Sequence, residues 1–107
     1  CVSEGANMPS NLDAIAVYKE HNLLYGPAKA ANAGGVAVSA LEMSQNSLRL
    51  SWTREEVDTR LKDIMTNIFN TAKTTAENYN LGKDYLAGAN IAAFENVANA
   101  MIAQGIV

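Results

Sequence analysis

Four side chains in one segment have types and a spacing that could do chemistry. Asn32, Val36, Ser39 and Met43 follow one another at intervals of three or four residues, so a helix would place them on one face. We refer to these four residues as the stripe. An amide, a branched apolar group and a hydroxyl could form one wall of a site for a small polar ligand. The same face could instead pack closely on another helix, and the spacing alone favours packing.

The segment that carries the stripe, residues 26–50, is predicted to begin as a glycine- and alanine-rich loop and to continue as a helix. Pro27 fixes its own φ, and Gly34 and Gly35 leave the first turns of the helix without side chains. A ligand could therefore approach the backbone closely there. From Val36 to the end of the segment, no proline or glycine interrupts the helix.

Composition and charge narrow the classes of function. The chain has 107 residues, enough for one domain, with eight basic and eleven acidic residues and no cluster of Lys or Arg. We therefore expect no nucleic-acid partner. No uncharged apolar run reaches the ~18 residues that a membrane helix needs, so we expect no membrane association.

Cysteine and histidine are too few for metal or thiol chemistry. Cys1 is the only cysteine, which rules out an intrachain disulfide and favours a reducing, cytoplasmic environment. His21 is the only histidine. The sequence therefore predicts neither a zinc site nor a Cys/His nucleophile pair.

The amino-terminal part predicts a strand, a helix and a second strand. Residues 1–4 are predicted as a short strand and residues 5–9 as a loop. A helix is then expected, with Ser10 as its amino-terminal cap and its end near Asn22. Residues 23–25 are predicted as the second strand.

Such a strand–helix–strand unit has parallel strands, whose carboxyl ends lie at the same edge of the sheet. The loops 5–9 and 26–32 should therefore emerge side by side, with Asn7 and Asn32 facing one crevice. Parallel sheets are normally buried on both faces, so two short strands do not make a complete sheet. We therefore expect the chain to be part of a longer protein that supplies the neighbouring strands.

The rest of the chain is predicted to be helical. Thr53 and Glu56 form a capping box, and apolar residues keep a helical period from there to Tyr79. Residues 80–84 break the pattern, and a last helix is expected over residues 89–104. The predicted fold class is therefore α/β and mainly helical.

Four longer motifs resemble, in order, the carboxyl-terminal part of hexameric glutamate dehydrogenases. The motifs are EGANMP, AANAGGV, SxxEMSQN and GANIAAF, and the similarity extends over essentially the whole chain. The resemblance implies that residues 1–32 close a dinucleotide-binding domain with a partial Rossmann-type βαβ unit. Residues 33–107 would then form a long hinge helix and two closing helices that lead back to the substrate domain.

The resemblance also implies roles for four residues. By position, Asn7 and Asn32 resemble asparagines that bind the cofactor, NADP or NAD, near its nicotinamide ribose and its carboxamide. Val36 and Ser39 resemble residues that line the substrate pocket, with the Ser39 hydroxyl donating to the side-chain carboxylate of glutamate. The implied reaction is the reversible oxidative deamination of L-glutamate to 2-oxoglutarate and ammonia by a homohexamer.

The family's catalytic lysine and aspartate match no residue of this chain. We therefore expect the chain alone to be inactive. We also expect it to self-associate, because its unpaired strands and alanine-rich helix faces would lack the partners that the rest of the protein supplies. Two alternatives stay open: a related dehydrogenase acting on leucine, phenylalanine or valine, and a non-enzymatic helical interaction module. The related dehydrogenases are expected to lack a hydroxyl at the Ser39 position, and an interaction module would have no need of Asn7, Asn32 and Ser39.

Overall fold

The computed structural model describes residues 1–105, and within them the chain forms two short strands and five helices. In chain order the elements are β1 (Val2–Ser3), α1 (Leu12–Glu20), β2 (Tyr25–Gly26), α2 (Ala28–Ala31), α3 (Ala33–Leu48), α4 (Arg54–Asn78) and α5 (Tyr85–Gln104). The mainly helical α/β class predicted from the sequence is confirmed. The last two residues of the predicted segment 33–107 lie outside the described residues.

β1 and β2 pair in parallel, as predicted, with Val2 opposite Tyr25. The second strand begins later than predicted, because the turn that ends α1 uses the residues before it. Asn22 has a left-handed φ of 52°, and the Leu23 N–H donates to the carbonyl of Tyr18 at 2.9 Å. Tyr25 and Gly26, which follow that turn, are therefore the residues that pair with β1.

The amino-terminal cap of α1 is Asn11 rather than the predicted Ser10. The Asn11 side chain accepts a hydrogen bond from the Ala14 N–H at 2.9 Å, which satisfies one of the free amide groups of the first turn. Ser10 instead pairs its hydroxyl with the Tyr18 hydroxyl at 3.2 Å. Both residue types are good caps, so the local sequence does not decide between them.

The loop predicted for residues 26–32 contains a short helix, α2. Pro27 is the cap of this helix, and its fixed φ of −66° leads into an alanine-rich turn of high helix propensity. α3 follows after Asn32, so the loop prediction was wrong for the middle of this segment. α3 ends at Leu48, short of its predicted end, because Arg49 adopts a left-handed φ of 55°.

α4 begins with the predicted capping box. The Thr53 hydroxyl accepts from the Glu56 N–H at 3.2 Å, and the Glu56 carboxylate accepts from the Thr53 N–H at 2.7 Å. α5 begins at Tyr85, earlier than predicted, because the Asp84 side chain caps it by accepting from the Ala87 N–H at 3.0 Å.

α4 and α5 pack against each other through small residues. The buried residues of the two helices are Ala72, Thr75, Ala76, Gly88 and Ala92. A Cβ atom placed on Gly88 would lie 2.1 Å from the carbonyl oxygen of Ala72, so the two backbones approach very closely there. The contact between these helices is therefore made by small residues, and none of the large side chains in residues 1–105 is fully buried.

Large apolar side chains remain exposed on another face of α5. Phe94 is 70% exposed, Val97 59% and Ile102 80%. The Cα radius of gyration is 16.4 Å, against about 13 Å for a compact domain of this length. The described residues therefore form an open arrangement with apolar surface left over. Among residues 1–105, no helix combines the length and the apolar character that crossing a bilayer requires.

Candidate functional site

The segments that follow β1 and β2 lie side by side, as predicted. The Asn32 amide nitrogen donates to the carbonyl of Ala6 at 3.1 Å, which joins the start of α3 to loop 5–9. Asn7 is the next residue of that loop and is exposed. Nδ2 of Asn32 donates one of its two N–H groups to Ala6, which orients the amide, and Oδ1 is the atom that can accept a hydrogen bond from a ligand.

A buried carboxylate, Glu4, lies between these segments, and the sequence did not single it out. Glu4 is only 4% exposed. Its Oε2 atom accepts from the Tyr25 hydroxyl at 2.6 Å and from the Ala28 N–H at 3.1 Å, whereas Oε1 has no partner among the described residues. One signal could have found it: an acid directly before GANMP, at the carboxyl end of one strand, with a tyrosine predicted in the neighbouring strand.

Hydrogen bonds and burial set the ionisation of Glu4 and Tyr25. The nearby Ser10 hydroxyl and then the Tyr25 hydroxyl lower the pKa of Glu4, and they outweigh desolvation, which raises it. The Ser10 hydroxyl acts on the Glu4 carboxylate from nearby, although the bond within hydrogen-bond geometry that it makes is the one to the Tyr18 hydroxyl. Oε1 of Glu4 has no partner within that geometry among the described residues. Burial and the bond to Glu4 raise the pKa of Tyr25 to about 12. At neutral pH, Glu4 is therefore ionised and Tyr25 is a neutral donor.

The stripe is largely exposed on α3. Val36 is 71% and Met43 72% exposed. Ser39 is also exposed, and its hydroxyl donates to the carbonyl of Gly35 over a long 3.4 Å. Another face of α3 meets α4, because a Cβ on Gly34 would contact side chains of α4. Within residues 1–105, the helix packing that the spacing alone favours does not occur at these three side chains.

Two polar contacts tie the strand–helix–strand unit and α2 to α5. Lys19 of α1 pairs with Asp84, the cap of α5, at 2.8 Å, and Lys29 of α2 donates to the Asn90 side chain. Partial burial raises the pKa of Asp84, but the bonds from Lys19 and the Ala87 N–H outweigh it, so the pKa lies below its ordinary value. These contacts fix the position of the α4–α5 hairpin relative to the sheet.

An apolar cavity of about 330 Å³ lies between β2 and the α4–α5 hairpin. Its larger lining side chains include Tyr25, Met65, Phe69 and Tyr85. The rings of Phe69 and Tyr85 pack edge to face, with their centroids 5.5 Å apart. None of the four predicted site residues lines this cavity, although residues of both strands and of α2 do.

The polar groups at the sheet edge and on the exposed face of α3 can bind and orient a ligand. An asparagine amide can accept from and donate to a carboxamide, and a serine hydroxyl can donate to a carboxylate. The backbone at Gly35 is accessible to a ligand, because a Cβ placed there would meet nothing within 4 Å. In the part of the chain that the structure describes, no three His, Cys, Asp or Glu side chains are grouped to hold a metal ion.

Known proteins are similar to this chain along nearly its whole length. A family model described as Glutamate/Leucine/Phenylalanine/Valine dehydrogenase matches residues 1–105. An NADP-specific glutamate dehydrogenase of Giardia intestinalis is 58% identical over 106 residues, which are 99% of this chain and 24% of that protein. An NAD-specific glutamate dehydrogenase of Clostridium symbiosum is 52% identical over 104 residues, covering 96% of this chain and 23% of that protein.

A solved structure shares the fold. A crystal structure of Plasmodium falciparum glutamate dehydrogenase superposes with a TM-score of 0.91 at 55% identity, over 97% of this chain and 22% of that one. The chain thus spans about a quarter of the length of the relatives that it matches. Because the family model covers all the described residues and the relatives are more than half identical, the chain belongs to the glutamate/leucine/phenylalanine/valine dehydrogenase family.

Proposed function

We propose that this chain serves as the carboxyl-terminal segment of a glutamate dehydrogenase that uses NADP or NAD. The reaction is the reversible oxidative deamination of L-glutamate to 2-oxoglutarate and ammonia. The observation that supports this proposal is the sheet edge at which Asn32 is joined to loop 5–9, while Val36 and Ser39 stay exposed on the same helix. Relatives named as NADP-specific and as NAD-specific both occur, so both cofactors belong in the proposal.

Asn7 and Asn32 are assigned to the nicotinamide end of the cofactor, which accepts or supplies the hydride when bound. The bond from Asn32 to the Ala6 carbonyl holds the amide in one orientation. Its free oxygen suits the N–H groups of the nicotinamide carboxamide. The exposed amide of Asn7 suits the hydroxyl groups of the adjoining ribose.

Val36 and Ser39 are assigned to the glutamate side chain. The methyl groups of Val36 would contact its methylene groups, and the Ser39 hydroxyl would donate to its carboxylate. This hydroxyl favours glutamate over leucine, phenylalanine or valine, which have no polar group at that end. Ser39 is therefore the residue of this chain that favours glutamate over the apolar substrates of the family.

The larger architecture is proposed from the same elements. Residues 1–32, with their parallel strand pair, would close a Rossmann-type domain, and α3 would be the hinge to the substrate domain. α4 and α5 would be the closing helices of a cytoplasmic homohexamer. Groups for proton transfer and for binding the pyrophosphate would come from the rest of the protein, because this chain spans only 24% of such a relative.

The proposed function is tested by assaying the complete protein that contains this chain. Oxidation of glutamate, leucine, phenylalanine and valine would be followed with NAD and with NADP. We expect glutamate to be the preferred substrate by a wide margin. A preference for one of the apolar amino acids would favour the related dehydrogenases instead, and no oxidation of any of the four would reject the proposal.

By itself, the chain should show no dehydrogenase activity and no saturable binding of NAD(P)H at micromolar concentrations. Dinucleotide sites depend on a glycine-rich turn and the amino terminus of a helix that hold the pyrophosphate, and this chain has no GxGxxG motif. Titration of the isolated chain with NADPH, followed by cofactor fluorescence, measures this. Saturable micromolar binding would show that Asn7 and Asn32 suffice without the pyrophosphate site.

The isolated chain should also self-associate, because large side chains such as Phe94 and Ile102 are mostly exposed. Sedimentation velocity should show dimers or larger species whose proportion rises with concentration. Phe94→Asp should shift the distribution towards monomer. Asn99→Asp adds a negative charge to the same helix at an exposed polar position and should not. A monodisperse monomer at high concentration, with a sharp cooperative melt, would contradict this expectation.

A further inference from the structure

Glu4 is a buried carboxylate for which the proposed function has no use so far. It is the first residue after β1 and lies directly before loop 5–9, which carries Asn7. It is 4% exposed, although an ionised side chain is costly to bury without partners. An acid at the end of a strand is ordinarily solvated, so the burial of this carboxylate needs a separate explanation.

The two bonds to Glu4 come from the other side of the site. The Tyr25 hydroxyl donates to Oε2 from β2, and the Ala28 N–H donates to the same atom from the first turn of α2. α2 leads directly to Asn32. One oxygen atom thus joins the end of β1 to the segment that ends at Asn32.

Glu4 and Asn32 make complementary bridges. The Glu4 carboxylate receives two donors from the second segment, and the Asn32 amide donates back to Ala6 in the first. The backbone adds a further link, since the Glu4 N–H donates to the carbonyl of Gly26 at 3.0 Å. Loop 5–9 is therefore held just before its first residue by Glu4 and at its second residue, Ala6, by Asn32.

The ring of Tyr25 is also held by a contact with α1. Tyr25 is 7% exposed, and the centroid of its ring lies 5.5 Å from the centroid of the Tyr18 ring. The Tyr18 hydroxyl in turn pairs with Ser10. The donor to Glu4 is therefore restrained by α1 as well as by β2. A change at Glu4 would release a set of contacts that spans both loops.

We propose that Glu4 is a positioning residue, which sets the relative placement of Asn7 and Asn32 through its bonds to Tyr25 and the Ala28 N–H. This inference rests on the proposed function, because it assumes that both asparagines contact the cofactor. Oε2 alone makes both bonds, and Oε1 has no partner among the described residues. The role is therefore assigned to the position of Oε2, which both donors reach.

The test uses the complete enzyme and compares Glu4→Ala with Glu4→Gln. Alanine removes the acceptor, so the KM for NAD(P) should rise and kcat should fall, with a loss in kcat/KM of about 10- to 100-fold that is similar for glutamate and norvaline. Glutamine keeps one oxygen that can accept both bonds, but it buries an amide N–H donor where the acceptor Oε1 stood, which has a cost of its own. Glu4→Gln should therefore recover part of the kcat/KM that Glu4→Ala loses.

A second pair of residues supplies matched controls. The Tyr79 hydroxyl donates to the Glu95 carboxylate at 2.7 Å, but this pair is exposed and joins α4 to α5. Glu95→Ala and Tyr79→Phe should leave the KM for NAD(P) at its wild-type value. Tyr25→Phe removes one donor to Glu4 and should raise that KM, by less than Glu4→Ala does. The Tyr25→Phe variant keeps the proposal testable if Glu4→Ala does not fold.

Hydrogen exchange measured by mass spectrometry gives a readout that does not depend on activity. Glu4→Ala should speed exchange in residues 5–9 and 28–35 and leave α4 and α5 unchanged. If the wild-type enzyme oxidises no amino acid, the proposed function is rejected. Hydrogen exchange would in that case still decide whether Glu4 holds residues 5–9 and 28–35 in place. Wild-type exchange and wild-type KM for NAD(P) in Glu4→Ala would overturn the inference. Equal losses for Glu4→Gln and Glu4→Ala would overturn it too, because the charge would then carry the effect.

Discussion

Replacing Ser39 by valine in the complete enzyme should lower kcat/KM for glutamate roughly ten- to hundredfold. The Ser39 hydroxyl is exposed and makes only a long 3.4 Å bond to the carbonyl of Gly35, so it is available to a substrate carboxylate. Hydrogen bonds to charged groups are worth ~1.5–3 kcal/mol net, and ~1.4 kcal/mol is a tenfold change in rate. Norvaline has no side-chain carboxylate and should lose much less. Steady-state kinetics on both substrates measures the difference.

Ser44 offers a matched control on the same helix. It is exposed, and its hydroxyl donates to the carbonyl of Ala40, one turn earlier, at 2.9 Å. Ser44→Val carries the same cost of a β-branched residue in a helix but lies off the stripe, so both substrates should keep their wild-type kcat/KM. Asn32→Ala should lower rates on both substrates alike, because it misplaces the cofactor. Equal losses on glutamate and norvaline for Ser39→Val would reject the assignment of Ser39 to the carboxylate.

In the isolated chain, Gly88→Ala should destabilise the fold by about 3 kcal/mol, which for a chain of this size corresponds to a fall in Tm of more than about 10 °C. The new Cβ would lie 2.1 Å from the carbonyl oxygen of Ala72 and 3.0 Å from the Cβ of Ala76. Neither atom belongs to a flexible side chain that could swing away, so α5 must move off α4. Ala92 would lose part of its burial as well. Thermal unfolding followed by circular dichroism measures the shift.

Gly35→Ala is the control for the same chemical change in another helix. A Cβ at this position of α3 would meet nothing within 4 Å. Alanine is favoured over glycine in helices by up to about 1 kcal/mol, so this variant should keep or raise the Tm. If the two variants melt at the same temperature, the close contact between Gly88 and α4 does not limit stability.

Local signals in the sequence determined the type of almost every element. The capping box of Thr53 and Glu56 starts α4, the break at residues 80–84 contains Gly82 with a left-handed φ of 58°, and Gly105 ends α5. Caps and helical periods act through backbone groups a few residues away, so they can be read without the fold. Where two local signals compete, as at Ser10 and Asn11, the sequence did not decide which residue is the cap.

The sequence also determined part of the candidate site. The strand–helix–strand order implies parallel strands, and it placed loops 5–9 and 26–32 at one edge before any contact was known. The bond between Asn32 and Ala6 confirms that these segments meet. The roles of Asn7, Val36 and Ser39 come from the resemblance to a family, and they stay predictions until the variants are measured.

The tertiary structure alone decided which helix faces are buried and what Glu4 contacts. α5 is apolar on nearly every side, so its pattern does not specify a face. The Gly88 side is buried because small residues let the two backbones come close, while Phe94 stays exposed. Glu4 looks like a solvated acid at a strand end, since its partners, Tyr25 and the Ala28 N–H, are distant in sequence and reach it only through strand pairing. Burial and non-local hydrogen bonds depend on how elements fit together, and local sequence does not specify that fit.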